Sequence, residues 1–86
     1  MRLAITNRFK RAYGALNSAD RSRADKALEL LVTNLRHPSL QVKKIKGSEG
    51  IWEARVSQSI RLTFEVRGDL ILLRLIGRHD ETLRRP

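Results

Sequence analysis

The 86-residue sequence has no cysteine, which excludes disulfide bonds and a metal site built on thiolates. It also lacks a long apolar segment. The first residues contain no apolar stretch of the kind found in secretion signals, and no run approaches the ~18 residues of a membrane span. These absences predict a soluble cytoplasmic protein that folds in a reducing environment and has no membrane partner.

Acidic side chains are also scarce. Nine Asp and Glu accompany eighteen Lys and Arg, so the formal net charge is +9. An excess of this size on a small domain favours a polyanionic partner, most often nucleic acid, although an acidic protein would also fit. The length and a hydrophobic fraction of 41% are enough for one core, so residues 1–86 are predicted to form a single domain.

Apolar and polar residues alternate in two neighbouring segments, Trp52–Val56 and Ile60–Val66. A period of two indicates strands with one buried face. If Ser57–Ser59 forms the turn, the apolar residues share one face, and Arg55 lies directly opposite Arg61 on the other. A slip of one residue would bury Arg61. Because two arginines in this position repel each other, we interpret the pair as an anion-binding site.

A second hairpin is predicted at Gly68-Asp69, since Gly accepts the positive φ that a two-residue turn requires. This turn would set Leu75 opposite Leu62 and Arg74 opposite Thr63. The polar face is then expected to be open to solvent, with a histidine at the edge where the last strand ends. Its predicted members are Glu53, Arg55, Arg61, Thr63 and Arg74, with His79 at the edge.

The last predicted strand, Leu70–Ile76, is apolar on both faces, which is typical of an interior strand. The short segment Arg2–Ile5 is expected to pair along its free side. The polar face that carries Arg55 and Arg61 is called the arginine face below. Apolar side chains would then be exposed on this face, which suggests a docking surface; they are those of Leu70, Leu72 and Ile76.

Two apolar stripes at helical spacing precede these strands. Thr6 or Asn7 can cap the first helix, and Asn17 or Ser18 can cap the second. The short break between them predicts an antiparallel helical hairpin. The stripes consist of Phe9, Ala12, Tyr13 and Leu16 in the first helix, and of Ala24, Ala27, Leu28, Leu31 and Leu35 in the second.

Four smaller predictions concern the segments around the helices and the end of the chain. Gly14 is expected to mark a close helix contact, and His37 to terminate the second helix. Leu40–Lys46 is predicted to be a strand, and Thr82–Pro86 is too short for a further helix.

Four motifs carry a family resemblance: VKKIKG at 42–47, GIWEARV at 50–56, IRLTF at 60–64 and IGRHDE at 76–81. In this order and spacing, and over essentially the whole chain, they resemble the RelE/ParE superfamily of bacterial toxin–antitoxin toxins. The resemblance implies an α+β fold. In that fold an N-terminal helical hairpin packs on one face of a small twisted, mainly antiparallel sheet, in the order β-α-α-β-β-β-β.

The resemblance also implies a function. RelE-like toxins cleave mRNA in the A site of the 70S ribosome, whereas ParE-like toxins inhibit DNA gyrase, and an acidic antitoxin wraps either kind. We therefore expect a metal-free endoribonuclease, an mRNA interferase that inhibits translation and needs no cofactor. Gyrase inhibition remains an alternative, and so does a non-toxic module that only binds an acidic partner.

Site residues follow from the same resemblance. Arg61 matches the arginine at the scissile phosphate, Arg55 a second basic position, and His79 a C-terminal histidine. Histidine changes charge near neutral pH, which suits His79 as acid or base. Glu53 would be its partner or a counter-ion of the two arginines. Many relatives have a C-terminal tyrosine, but Asp80 follows His79 here, so a histidine-centred mechanism is expected.

The predicted RNA-binding residues are Lys43, Lys44, Lys46, Arg74 and Arg78, although lysines also protect sheet edges.

Overall fold

The computed structural model describes residues 1–86 and contains five strands, three α-helices and one 3-10 helix. The strands are β1 (Arg2–Ile5), β2 (Lys43–Lys44), β3 (Trp52–Arg55), β4 (Ile60–Arg67) and β5 (Leu70–Arg78). The α-helices are α1 (Asn7–Gly14), α2 (Ser18–Thr33) and α3 (His79–Arg84), and the 3-10 helix is Pro38–Leu40.

The strands form one sheet in the order β1-β5-β4-β3-β2. β1 and β5 are parallel, and all other neighbours are antiparallel. The helical hairpin covers one face, where Phe9 and Leu31 share a core with Leu62, Phe64 and Leu73. The predicted α+β fold is therefore confirmed, as is the pairing of the N-terminal strand with the interior strand β5.

The two long helices begin where the sequence predicted. The Thr6 hydroxyl accepts a hydrogen bond from the Phe9 N–H at 3.0 Å, and the Asn17 side chain accepts one from Asp20 at 2.8 Å. Each cap satisfies an N–H group that has no partner within its helix. The predicted contact at Gly14 is wrong, because a Cβ at this position would meet no atom within 4 Å.

The segment after α2 differs from its prediction. α2 ends at Thr33, and the His37 ring accepts a hydrogen bond from the Ser39 N–H at 3.2 Å, so His37 caps the 3-10 helix instead of terminating α2. Gln41 then adopts a left-handed conformation with φ of 45°, which interrupts any strand. Only Lys43–Lys44 of the predicted strand at 40–46 pairs with β3.

A β-bulge corrects the predicted register of the second hairpin. Phe64 lies opposite Leu73 as predicted, but Thr63 lies opposite Leu75, so Arg74 is an extra residue without a partner on β4. The expected pairing of Thr63 with Arg74 is therefore wrong by one position.

The bulge also changes which apolar residue is buried. Beyond it, Leu62 pairs with Ile76 instead of Leu75, and Ile76 is buried in the core. The expectation that Ile76 lies exposed on the arginine face is wrong for this reason. One extra residue reverses the alternation of side chains along the rest of β5.

The largest difference from the sequence prediction is α3, because Thr82–Pro86 was expected to be too short for a helix. The helix begins at His79, three residues before that segment, and packs on the sheet face opposite the hairpin. Thr82 is buried, and a Cβ at Gly77 would lie 3.0 Å from its Oγ1. The Thr63 hydroxyl donates to the main-chain oxygen of Pro86 at 3.0 Å. The arginine face is therefore partly covered, not open.

This packing predicts a specific effect of Gly77→Ala. The new methyl group would lie 3.0 Å from Oγ1 of the buried Thr82, so one of the two must shift, and we expect the free energy of unfolding to fall by about 1–3 kcal/mol in urea titrations. The loss should be smaller in a Thr82→Ala background. Gly14→Ala is the matched control, because a methyl group there meets open space and should stabilise α1 by up to about 1 kcal/mol. An equal loss from Gly77→Ala in both backgrounds would contradict the close contact.

Candidate nucleic-acid interface

Two arginines face each other across β3 and β4, as predicted. Arg55 pairs with Arg61 in the strand register, and both side chains are half-buried. Their neighbours Ala54 and Leu62 are in the core, so the arginines point to the opposite side of the sheet. Neither has an Asp or Glu oxygen within 4.0 Å. The repulsion between the two charges is thus not relieved by a nearby carboxylate.

The Arg61 side chain is held by the turn between β3 and β4. Its Nη1 donates to the main-chain oxygens of Ser57 at 2.6 Å, Ile60 at 3.1 Å and Gln58 at 3.2 Å. The Ser57 hydroxyl in turn accepts from the Ile60 N–H at 3.2 Å, which stabilises the turn. No hydrogen bond within the protein uses Nε or Nη2 of Arg61. These two groups form the edge of a guanidinium that binds phosphate oxygens in pairs.

His79 is attached to the same turn. It is the first residue of α3, and its N–H donates to the main-chain oxygen of Ser59 at 2.9 Å. Four successive carbonyl groups of the turn, at residues 57–60, therefore hold either the Arg61 guanidinium or the start of α3. The imidazole is about half exposed, and its Nδ1 lies 3.2 Å from Oδ1 of Asp80. Nε2 of the ring has no hydrogen-bond partner within the protein.

Glu53 lies opposite Thr63, as predicted, but it does not contact the arginine pair. Its side chain is buried, and its nearest cation is Lys43, with Nζ 3.9 Å from Oε1. Glu53 forms no ion pair with Arg55 or Arg61, so its predicted role as their counter-ion is wrong. Thr63, which lies opposite Glu53, donates to the main-chain oxygen of Pro86, so this part of the polar face is not open as the sequence predicted.

Arg74 is engaged by a carboxylate that sequence reasoning missed. Its Nη1 donates to Oε2 of Glu65 at 2.5 Å, and its Nε donates to the main-chain oxygen of Pro86 at 3.1 Å. Arg67 donates to Oε1 of the same glutamate at 3.1 Å. These bonds from Arg67 and Arg74 lower the pKa of Glu65 below its usual value. The alternation of apolar and polar residues in Ile60–Val66 places Glu65 on the arginine face, so the sequence did contain a signal for this ion pair.

The lowered pKa of Glu65 predicts how stability depends on pH. The ionised form is favoured in the folded state, so its contribution is present above the unfolded-state pKa and is lost as the pH falls through the folded-state pKa. Between about pH 5 and pH 3, the wild type should lose more free energy of unfolding than Glu65→Gln in urea titrations. Glu29→Gln, at an exposed site on α2, is the control and should behave like the wild type. Identical pH profiles for the wild type and Glu65→Gln would contradict the pairing.

The other predicted RNA-binding residues are dispersed. Lys43 and Lys44 are exposed on the edge strand β2, and Lys46 lies in the loop after it. Arg78 pairs with Ile60, whose side chain is in the core. The register therefore places Arg78 on the face of the sheet that the helical hairpin covers. There it lines a cleft with Asp20. The structure therefore does not bring Arg78 to the face that carries Arg61.

No three His, Asp or Glu side chains come together in a way that could hold a metal ion. None of the helices has the length and apolar character needed to cross a membrane.

No protein-family model matches the sequence, and no curated protein matches it significantly. Solved structures match it closely in fold. YafQ from Escherichia coli superposes with a TM-score of 0.80 at 17% identity, covering 94% of this chain and 97% of YafQ. RelE in the RelB–RelE antitoxin–toxin complex from Methanococcus jannaschii gives 0.69 at 23% identity, covering 90% and 91%. The YoeB/ParE toxin from Agrobacterium tumefaciens gives 0.77 at 15% identity, covering 92% and 99%. The chain therefore has the fold of YafQ, RelE and the YoeB/ParE toxin, over nearly its whole length.

Proposed function

We propose that this chain is the toxin of a type II toxin–antitoxin pair and cleaves mRNA in the ribosomal A site. The observation that carries the proposal is the turn at residues 57–60, which holds the Arg61 guanidinium and the first residue of α3, His79, through successive carbonyl groups. A cation with a free binding edge lies at the same end of the sheet as an exposed imidazole. Phosphodiester cleavage needs such a cation for the phosphate, and such an imidazole suits one of its two proton transfers.

The proposed reaction begins when the RNA 2′-oxygen loses its proton to a base and attacks the adjacent phosphorus. A bond forms between the 2′-oxygen and phosphorus, the bond to the 5′-oxygen breaks, and an acid donates a proton to that leaving oxygen. Arg61 would bind the non-bridging oxygens as negative charge builds on them, assisted by Arg55. His79 would carry out one of the two proton transfers. The upstream product would end in a 2′,3′-cyclic phosphate.

Glu53 is a poorer candidate for the second proton transfer than its sequence position suggested. Its carboxylate is buried beside Lys43 and is not exposed next to Arg61. Asp80 is exposed and lies beside the His79 ring. We propose that Asp80 orients the imidazole, as carboxylates do in other histidine-dependent sites.

The proposed partner is an acidic antitoxin, and the proposed location is the cytoplasm. RelE was solved in an antitoxin–toxin complex, and a net charge of +9 on this chain favours an acidic protein. Co-expression with such an antitoxin should restore growth in cells that overproduce this chain.

Overproduction in bacterial cells tests the function. Incorporation of labelled methionine should stop before incorporation of labelled thymidine, and before any DNA-damage response. DNA damage as the first effect would favour gyrase inhibition instead. Normal growth with abundant folded protein would favour a binding module without toxicity.

A further inference from the structure

A basic cleft of about 460 Å³ lies on the arginine face near the C-terminal end of α3. It is built from segments far apart in the sequence: the first turn of α1, the loop after β2, the middle of β5 and the residues at and after the end of α3. The five cations that line it are Arg8, Lys46, Arg74, Arg84 and Arg85.

The charges in this cleft are poorly compensated. No Asp or Glu lines it, and among the five cations only Arg74 forms an ion pair, with Glu65. The Arg8 guanidinium donates to the main-chain oxygen of Arg85, which is a neutral acceptor. The other four cations have no carboxylate partner, so their mutual repulsion is unfavourable and a bound anion would reduce it.

The cleft is close to the arginine pair but separate from it. α3 begins at the turn that holds Arg61 and ends at the cleft, and its six residues span about 9 Å at a rise of 1.5 Å each. A single extended polyanion on this face could therefore contact both groups of cations.

We propose that this basic cleft is a second phosphate site, which holds the RNA backbone a few nucleotides from the cleaved bond. The inference rests on the proposed function and adds Arg8, Arg84 and Arg85 to the RNA contacts. Several cations that converge from different segments suit phosphates repeated along a strand. An acidic peptide would also need pockets for apolar side chains, whereas most of the residues that line this cleft are polar or charged.

The test measures binding of a short single-stranded RNA with 2′-O-methyl groups, which cannot be cleaved, over a range of salt concentrations. The double variant Arg84→Gln/Arg85→Gln should bind more weakly. Its plot of log K against log salt should be less steep by about 0.7 for each lost phosphate contact, or about 1.4 in total. Both side chains are exposed, so the fold should be retained, which thermal unfolding would verify.

The matched control is Lys26→Gln/Arg36→Gln, which removes the same charge from exposed positions on the helix side of the molecule. Its salt dependence should stay close to that of the wild type. Equal slopes for the two double variants would overturn the proposal. The proposal would also be overturned if Arg84→Gln/Arg85→Gln kept the wild-type salt dependence of RNA binding but bound an acidic antitoxin more weakly. That result would assign the cleft to a protein partner. Because the probe cannot be cut, the result does not depend on whether the chain is a nuclease.

Discussion

Arg61→Ala should lower the rate of mRNA cleavage by about 10²–10³-fold, the loss typical of removing one group that stabilises transition-state charge. The free Nε and Nη2 edge of Arg61 is the feature that would bind the phosphate. Arg61→Lys should recover little of the activity, because an ammonium group lacks the fork that binds two oxygens. Single-turnover cleavage of mRNA on stalled ribosomes would measure both variants.

Arg36→Ala is the matched control for Arg61→Ala. Arg36 is exposed, lies on the helix side and forms no ion pair, so cleavage should be close to the wild-type rate. Arg61 also binds three carbonyl groups of its turn, so thermal unfolding must show that Arg61→Ala is still folded at the assay temperature. A folded Arg61→Ala protein that cuts at the wild-type rate would remove Arg61 from the mechanism.

His79→Gln should reduce cleavage by about 10²–10⁴-fold, the usual contribution of a positioned acid or base. The imidazole is about half exposed, and its polar contact is with Asp80, so the substitution should leave stability nearly unchanged. Glutamine keeps a polar group at this position but cannot transfer a proton, so the loss should be in the chemical step. Single-turnover rates and thermal unfolding would test both effects.

The other histidine provides the control for His79→Gln. His37 caps the 3-10 helix, so His37→Gln should lower stability slightly and leave the cleavage rate intact. A folded His79→Gln protein with the wild-type rate would show that the imidazole takes no part in proton transfer.

The arginine pair could be predicted from the sequence because burial allows only one register. Ala54 and Leu62 both have to face the core, and any slip by one residue would place Arg61 there instead. The same constraint explains why the helical hairpin and its caps were predictable. In each case the alternation or spacing of apolar residues determines which face is buried.

The bulge at Arg74 could not be predicted in this way. β5 is apolar on both faces, so Leu75 and Ile76 are equally suited to the core, and the pattern does not distinguish the two registers. The bulge decides that Ile76 is buried and brings Arg74 to Glu65.

α3 and the basic cleft depend on contacts between distant segments. Six residues form a stable helix only when tertiary packing supports them, and here Thr82 packs against Gly77. The position of α3 then brings Pro86 to Thr63 on the polar face and gathers cations from both ends of the chain. Local sequence patterns do not show which distant segments meet, so α3 and the basic cleft could not be predicted from them.

The most direct test of the central claim is to map the ends of mRNA after incubating ribosomes stalled at a defined codon with the purified protein. The wild type should cut within the A-site codon and leave a 2′,3′-cyclic phosphate, and the double variant Arg61→Ala/His79→Gln should leave the mRNA intact. Intact mRNA with the folded wild type, or equal cleavage by the double variant, would contradict the proposed site.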